Sequence, residues 1–210
     1  MTARRVWDIS QMLRPGLPVW PGDTPLSLER TWRMEDGSPV NVARMMLSTH
    51  SGTHADAPLH YHADGGDAAG LALDPYLGEC LVVDARAASG RAVEVSDLPP
   101  LEGATRVLLR TYDAFPHDSW RSDWTPVASD TIGFLAGEGV RLIGIDAPSL
   151  DPETSSAMAA HLAVLAANMR ILEGLVLDGV PPGRYELIAL PLRIAGGDAG
   201  LCRAVLRELA

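Results

Sequence analysis

The chain has 210 residues, 47% of them hydrophobic and 21% charged, with a formal net charge of −10. That is enough for one sizeable core, and a single domain over residues 1–210 is the expectation. No basic run exceeds the pair Arg4-Arg5, which excludes the clustered positive face of a nucleic-acid binder, and no stretch approaches the roughly 20 apolar residues of a membrane span.

Smaller absences narrow the chemistry. All 17 basic residues are arginine, which rules out Schiff-base and P-loop lysines. No G-x-S-x-G elbow appears, which weakens a serine hydrolase. Cys80 and Cys202 lie far apart and read as small buried hydrophobes rather than a disulfide framework. The opening stretch MTARRVWDISQML has no apolar signal-peptide core ahead of Asp8 and Ser10, so a cytoplasmic address is expected.

In chain order, an unpatterned segment at 10–25 is followed by an alternating run, Leu26–Trp32, that reads as an edge strand. Strands are expected at Val40–Leu47, Cys80–Ala85 and Arg106–Thr111. A second unpatterned segment, 112–128, is rich in Pro, Trp and Asp; loops of this kind often frame a site. Ser129–Gly139 predicts a short helix with Ser129 or Asp130 as N-cap and Gly139 near its stop. Val140–Ala147 completes a strand-helix-strand unit with Arg106–Thr111. The Ala-rich stretch Thr154–Met169 is the best helix candidate, capped by its Ser/Thr group, and Tyr185–Leu192 reads as another strand. Ala199–Leu209 reads as a closing helix. Strands outnumber helices, so the fold class is α/β or α+β with a mixed central sheet.

The segment HSGTHADAPLHYH places four of the six histidines between His50 and His62. His50, His54, Asp56 and His60 share even positions and would share one face of an extended strand. Ten extended residues span roughly 33 Å, too far for one site. Convergence therefore needs bends, and Gly52 and Pro58 stand where they are required. Imidazole and carboxylate are the nitrogen and oxygen donors of zinc and similar divalent ions, and His60 is then free for acid/base work. The competing readings are a solvent-facing loop or histidines satisfied in the core; the spacing and bends favour metal. His161 in the Ala-rich helix and Glu173 in the apolar run RILEGLVLDG are the obvious remaining ligands. On one unbroken helix they would point about 120° apart, so the helix is expected to end near Asn168. Asp146, closing the strand LIGIDA, reads equally as a partner to a ligand histidine or as a strand-end turn residue. His62 and His117 receive no role.

HSGTHADAPLH resembles the H-x-G-T-H-x-D-x-P-x-H signature of the cyclase-like metal-dependent hydrolases. WPGDTP (Trp20–Pro25), GIDAPSLDP (Gly144–Pro152) and ILEGLVLDGVPPG (Ile171–Gly183) extend the resemblance to nearly the full length, and point to the arylformamidase branch of that family. The resemblance implies a swivelling β/α/β-type fold, a homodimer, and hydrolysis of N-formyl-L-kynurenine in tryptophan breakdown. It implies zinc at two positions per subunit, manganese serving instead in some members. His50, His54 and Asp56 would hold one ion and Asp56, His161 and Glu173 the other, with Asp56 and Glu173 bridging. His60 would be the general acid/base and Trp20 a substrate contact. Rival readings keep the site but open another aryl or cyclic amide such as isatin, or treat the cluster as a non-catalytic metal clamp, or the Trp-rich loops as a module binding an aromatic ligand without chemistry.

Overall fold

The Val-, Leu- and Ile-rich runs line up side by side as one mixed sheet. A computed structural model describes residues 4–210; the first three residues of the opening stretch lie outside them. The strands are β1 (Val6–Asp8), β2 (Ser27–Trp32), β3 (Val42–Met46), β4 (His54–Asp56), β5 (Leu77–Asp84), β6 (Arg106–Arg110), β7 (Leu142–Ile145), β8 (Arg170–Leu172), β9 (Gly183–Ile188), β10 (Ala199–Leu201) and β11 (Val205–Arg207). The helices are α1 (Ser129–Gly137) and α2 (Ala159–Ala166). Seven strands form the sheet in the order β1-β11-β9-β5-β6-β7-β8. Strands β5 to β8 pair in parallel, and β9, β11 and β1 extend the sheet antiparallel. This is the expected mixed α/β fold. Among the described residues, no helix is long and apolar enough to cross a membrane.

The central strands are apolar on both faces because both are covered. Val107, Leu109, Ile143, Ile145 and Ile171 pack with Ile132 and Leu135 of α1 and Val164 of α2. Leu108, Leu142 and Leu172 point the other way, into a second cluster with Tyr76, Leu187 and Leu206. Each fully buried side chain of this size contributes roughly 1.5–3 kcal/mol relative to exposure. The parallel register brings the ends of β6, β7 and β8 to one edge, where Thr111, Asp146 and Glu173 follow in space. Open parallel sheets place ligands at the carboxyl ends of their strands.

Several expectations change. Helix α1 starts where predicted, but Ala128 is its N-cap and no side chain caps it. Gly139 does lie just past its end, with φ +85°. Helix α2 covers only half of Thr154–Met169. Residue Met158, at φ +47°, breaks the run, and the first turn is capped from outside the predicted Ser/Thr group: the Asp151 carboxylate accepts from the Ala160 and His161 amides at 3.1 Å each. The end near Asn168 is as expected; Asn168 adopts φ +51° and turns the chain into β8. The closing helix at Ala199–Leu209 does not form. Its residues make β10, paired with β4, and β11, paired with β9 and β1. Helical propensity is weak there against sheet pairing that buries Leu206 completely. Strands β1, β4 and β8, three residues each, were not anticipated.

Candidate metal centre

Strand β4 carries His54 and Asp56 on one side of its short extended run. It is held by an antiparallel partner, β10, and by a two-way amide exchange with the residue after β8: His54 N–H donates to the Glu173 carbonyl at 3.2 Å, and Glu173 N–H to the His54 carbonyl at 3.0 Å. That exchange brings Glu173 to the histidine segment. The chain turns before β4 at Gly52, φ +69°, which folds His50 back beside His54. It turns again after β4, where Pro58 opens a 3₁₀ turn ending at His60. The expected bends are both present.

The donor atoms converge. His50 Nδ1 stands 3.1 Å from His54 Nε2 and 3.2 Å from Asp56 Oδ1. His54 Nε2 is 3.3 Å from Asp56 Oδ1 and 3.6 Å from Glu173 Oε2. On the other side, His161 Nε2 lies 3.3 Å from Asp56 Oδ2 and 3.5 Å from Glu173 Oε1. Asp56 thus faces two groups of imidazoles at once, and Glu173 reaches both. His60 is the partly open member; its ring centroid is 4.1 Å from that of His50.

The electrostatics favour a cation. Asp56 and Glu173 are 1% and 3% exposed, and burying two carboxylates together without a counter-charge is costly. Among the described residues, both Asp56 oxygens and His161 Nε2 are buried without a hydrogen-bond partner. Burial and the neighbouring Asp56 push the Glu173 carboxyl upward. Burial also opposes charge on Asp56, yet the surrounding imidazoles hold it well below the usual range. Burial likewise opposes charge on His50 and His161, but the carboxylates outweigh it and raise them to about 9 and about 10. The cluster therefore attracts protons, and a divalent cation satisfies the same demand. The residues present fit such an ion.

Each of the three buried-side histidines has its remaining nitrogen fixed by an oxygen. His161 Nδ1 meets Asp151 Oδ2 at 2.7 Å, His54 Nδ1 meets the Gly52 carbonyl at 2.9 Å, and His50 Nε2 lies 3.3 Å from Asp198 Oδ2. Such partners set the tautomer and aim of a metal-binding ring. Sequence reasoning missed Asp151 and Asp198. The first stands eight residues before α2, the second after a Gly-Gly pair, with no spacing pattern to flag either. Asp146, left open from sequence, is resolved by its contacts. It accepts from Thr111 Oγ1 at 2.6 Å and from the Thr111 and Tyr112 amides. It anchors the start of loop 112–128 and touches no histidine there.

A cavity of about 490 Å³ opens above the cluster, lined by His50, His54, His60 and Glu173 at its base. Both unpatterned segments supply its walls, as expected. Trp20 and Trp120 line it, and their rings pack edge-on with each other and with Trp124 at 5.5–5.7 Å. His62 and His117 are exposed and outside this constellation.

Comparison with known proteins agrees with the geometry. The Cyclase family model matches residues 7–152. The kynurenine formamidase of Erythrobacter litoralis (strain HTCC2594) is 68% identical over 206 residues, 98% of this chain and 95% of that protein. That of Sphingopyxis alaskensis (strain DSM 13593 / LMG 18877 / RB2256) is 58% identical, over 98% of this chain and 99% of that one. A solved structure described as a potential metal-dependent hydrolase with cyclase activity superposes with a TM-score of 0.84 at 30% identity, covering 99% of this chain and 100% of that one. The histidine segment, the strand exchange that brings Glu173 to it and the full-length likeness lead to one conclusion: the chain belongs to the Cyclase family.

Proposed function

We propose that this chain is a metal-dependent arylformamidase that hydrolyses N-formyl-L-kynurenine to L-kynurenine and formate in tryptophan breakdown. The observation that carries the reading is a buried, partnerless Asp56 ringed by imidazoles, beneath an aromatic-walled cavity whose base is formed by His50, His54, His60 and Glu173, in a chain whose full-length relatives include kynurenine formamidases. His50, His54 and Asp56 would hold one divalent cation and Asp56, His161 and Glu173 a second, with Asp56 and Glu173 shared. Nitrogen and oxygen donors suit zinc, with manganese the alternative. When bound, such cations make water a nucleophile at neutral pH and polarise an amide carbonyl.

The protein's own groups do the rest. Burial, helped by the neighbouring His50 and His161 and opposed by Asp56 and Asp198, lowers the His60 imidazole below its ordinary value, which suits its ring to take the proton of the attacking water. It returns that proton to the departing arylamine, since an unprotonated amide anion is a poor leaving group. Trp20, with Trp120 beside it, offers the aryl ring a flat apolar wall. Asp151 and Asp198 keep the ligand histidines aimed.

The testing experiment follows kynurenine release by absorbance from N-formyl-L-kynurenine, using zinc-loaded and chelator-stripped protein. Turnover that disappears on stripping and returns with zinc is expected. A well-metallated protein inactive on this amide but active on a cyclic amide such as isatin would move the assignment to the rival substrate class.

The reading includes a homodimer. Among the described residues, strands β2 and β3 pair only with each other, and their ribbon exposes Leu28, Trp32, Met45 and Met46. A lone two-stranded ribbon has too little apolar contact to be stable by itself, and a second copy would cover it.

A further inference from the structure

The substrate proposed above is an amino acid as well as an amide, and its carboxylate needs a partner. Four carboxylates line the cavity, Asp23, Asp146, Glu173 and Asp198, so away from the metal centre an anion needs a positive side chain to receive it. Among the described residues, one arginine of the 17 lines the cavity: Arg121. It follows Trp120 directly and so sits beside the aromatic wall.

Its guanidinium is placed to change partners. Nε and Nη2 donate to the two Asp123 oxygens, both at 2.8 Å, which leaves Nη1 and the second Nη2 hydrogen. Those two make the fork that binds a carboxylate bidentately. The pair with Asp123 is open to water, its side chains 53% and 69% exposed, so holding it contributes little and yielding it costs little. The other arginines that reach this loop are committed instead: Arg14 donates to the His117 carbonyl at 3.2 Å and to the Asp118 carboxylate, tying segment 10–25 to loop 112–128, Arg110 donates to the Tyr112 and Asp113 carbonyls, and Arg86 to the Asp84 and Asp113 carboxylates.

We propose that Arg121 is a specificity-determining residue that binds the α-carboxylate of the substrate while its aryl ring lies against Trp20 and Trp120. The assignment rests on the arylformamidase reading and adds to it the residue that separates an amino-acid amide from a simple arylformamide. Position 121 is exposed, so its substitution leaves the core untouched.

The test uses the metallated full chain and two pairs of compounds: N-formyl-L-kynurenine against formanilide for hydrolysis, and L-kynurenine against its decarboxylated amine for binding, read by quenching of tryptophan fluorescence. Losing one bidentate charge-assisted contact predicts that Arg121→Gln lowers kcat/KM for the amino-acid substrate, and affinity for L-kynurenine, by about 10- to 100-fold. The carboxylate-free compounds should change less than about threefold, and Arg121→Lys should recover part of the loss. Equal losses on both members of a pair, or no loss on either, would overturn the role of Arg121. Wild-type protein that is inactive on N-formyl-L-kynurenine would overturn the functional reading itself, and Arg121 with it.

Discussion

At the scale of single residues, what distinguishes this site is carboxylates buried where water cannot reach them. Asp56 is the centre: both of its oxygens lack hydrogen bonds, and three histidines point at it within 3.3 Å. Glu173 and His60 occupy opposite situations around it. Glu173 is 3% exposed and reaches His54 and His161, whereas the His60 side chain remains 31% exposed at the cavity base. A ligand and a proton carrier should respond differently to truncation. His60→Ala is expected to keep its metal, measured by atomic emission, and to lose about 10²- to 10⁴-fold in kcat. Glu173→Ala is expected to lose bound metal along with activity. Full turnover in the first variant would remove the acid/base role, and an unchanged metal-to-protein ratio in the second would remove Glu173 from the ligands.

At the scale of elements, the site depends on a short strand bridging two others. Strand β4 is three residues long, yet it pairs with β10 and exchanges amides with Glu173. The approach is close because the next residue is glycine. Gly174 has φ +63°, and a Cβ there would meet the Gly52 carbonyl oxygen at 2.4 Å and Gln11 Nε2 at 2.6 Å. Gly174→Ala therefore combines left-handed strain of about 1–2 kcal/mol with a backbone clash. A fall in Tm of at least about 3 °C is expected, with weaker metal retention as β4 and Glu173 separate. A variant with unchanged Tm and metal content would show that the bridge tolerates a wider spacing. The same scale explains the shortened α2. Asp151 caps its first turn and also binds His161 Nδ1, so the helix begins where His161 is held against Asp56.

At the scale of the molecule, two irregular segments close over the sheet edge and one ribbon projects from it. Loops 10–25 and 112–128 meet through Arg14 and the Trp20–Trp120 contact, which gives the cavity its wall. The β2–β3 ribbon leaves Trp32 59% and Met46 58% exposed. If a second copy covers it, light scattering should give twice the 22.4 kDa chain mass, and replacing Trp32 and Met46 together by Asp should yield monomer. A wild-type protein of single-chain mass would refute the dimer.

Local pattern alone carries the candidate donors. His50, His54, Asp56 and His60 were legible because a fixed spacing with Gly52 and Pro58 at the bends is a local property of the chain. The central strands were legible for the same reason: an apolar run such as Arg106–Thr111 or Val140–Ala147 declares itself within a few residues. His161 and Glu173 stood out only as costly residue types in apolar surroundings, and tertiary structure decided that they converge. It also decided what no local pattern carries: that Asp151 and Asp198 hold the histidines, that Asp146 anchors a loop, and that Ala199–Leu209 pairs as strands instead of coiling. The Asp198–His50 contact and the β4–β10 pairing of Asp56 with Ala199 join residues more than a hundred positions apart, and pairing energy at such range overrides a preference of a few tenths of a kcal/mol per residue; Asp146 and Asp151 act over 35 and 10 residues, but through turns that no periodic spacing marks.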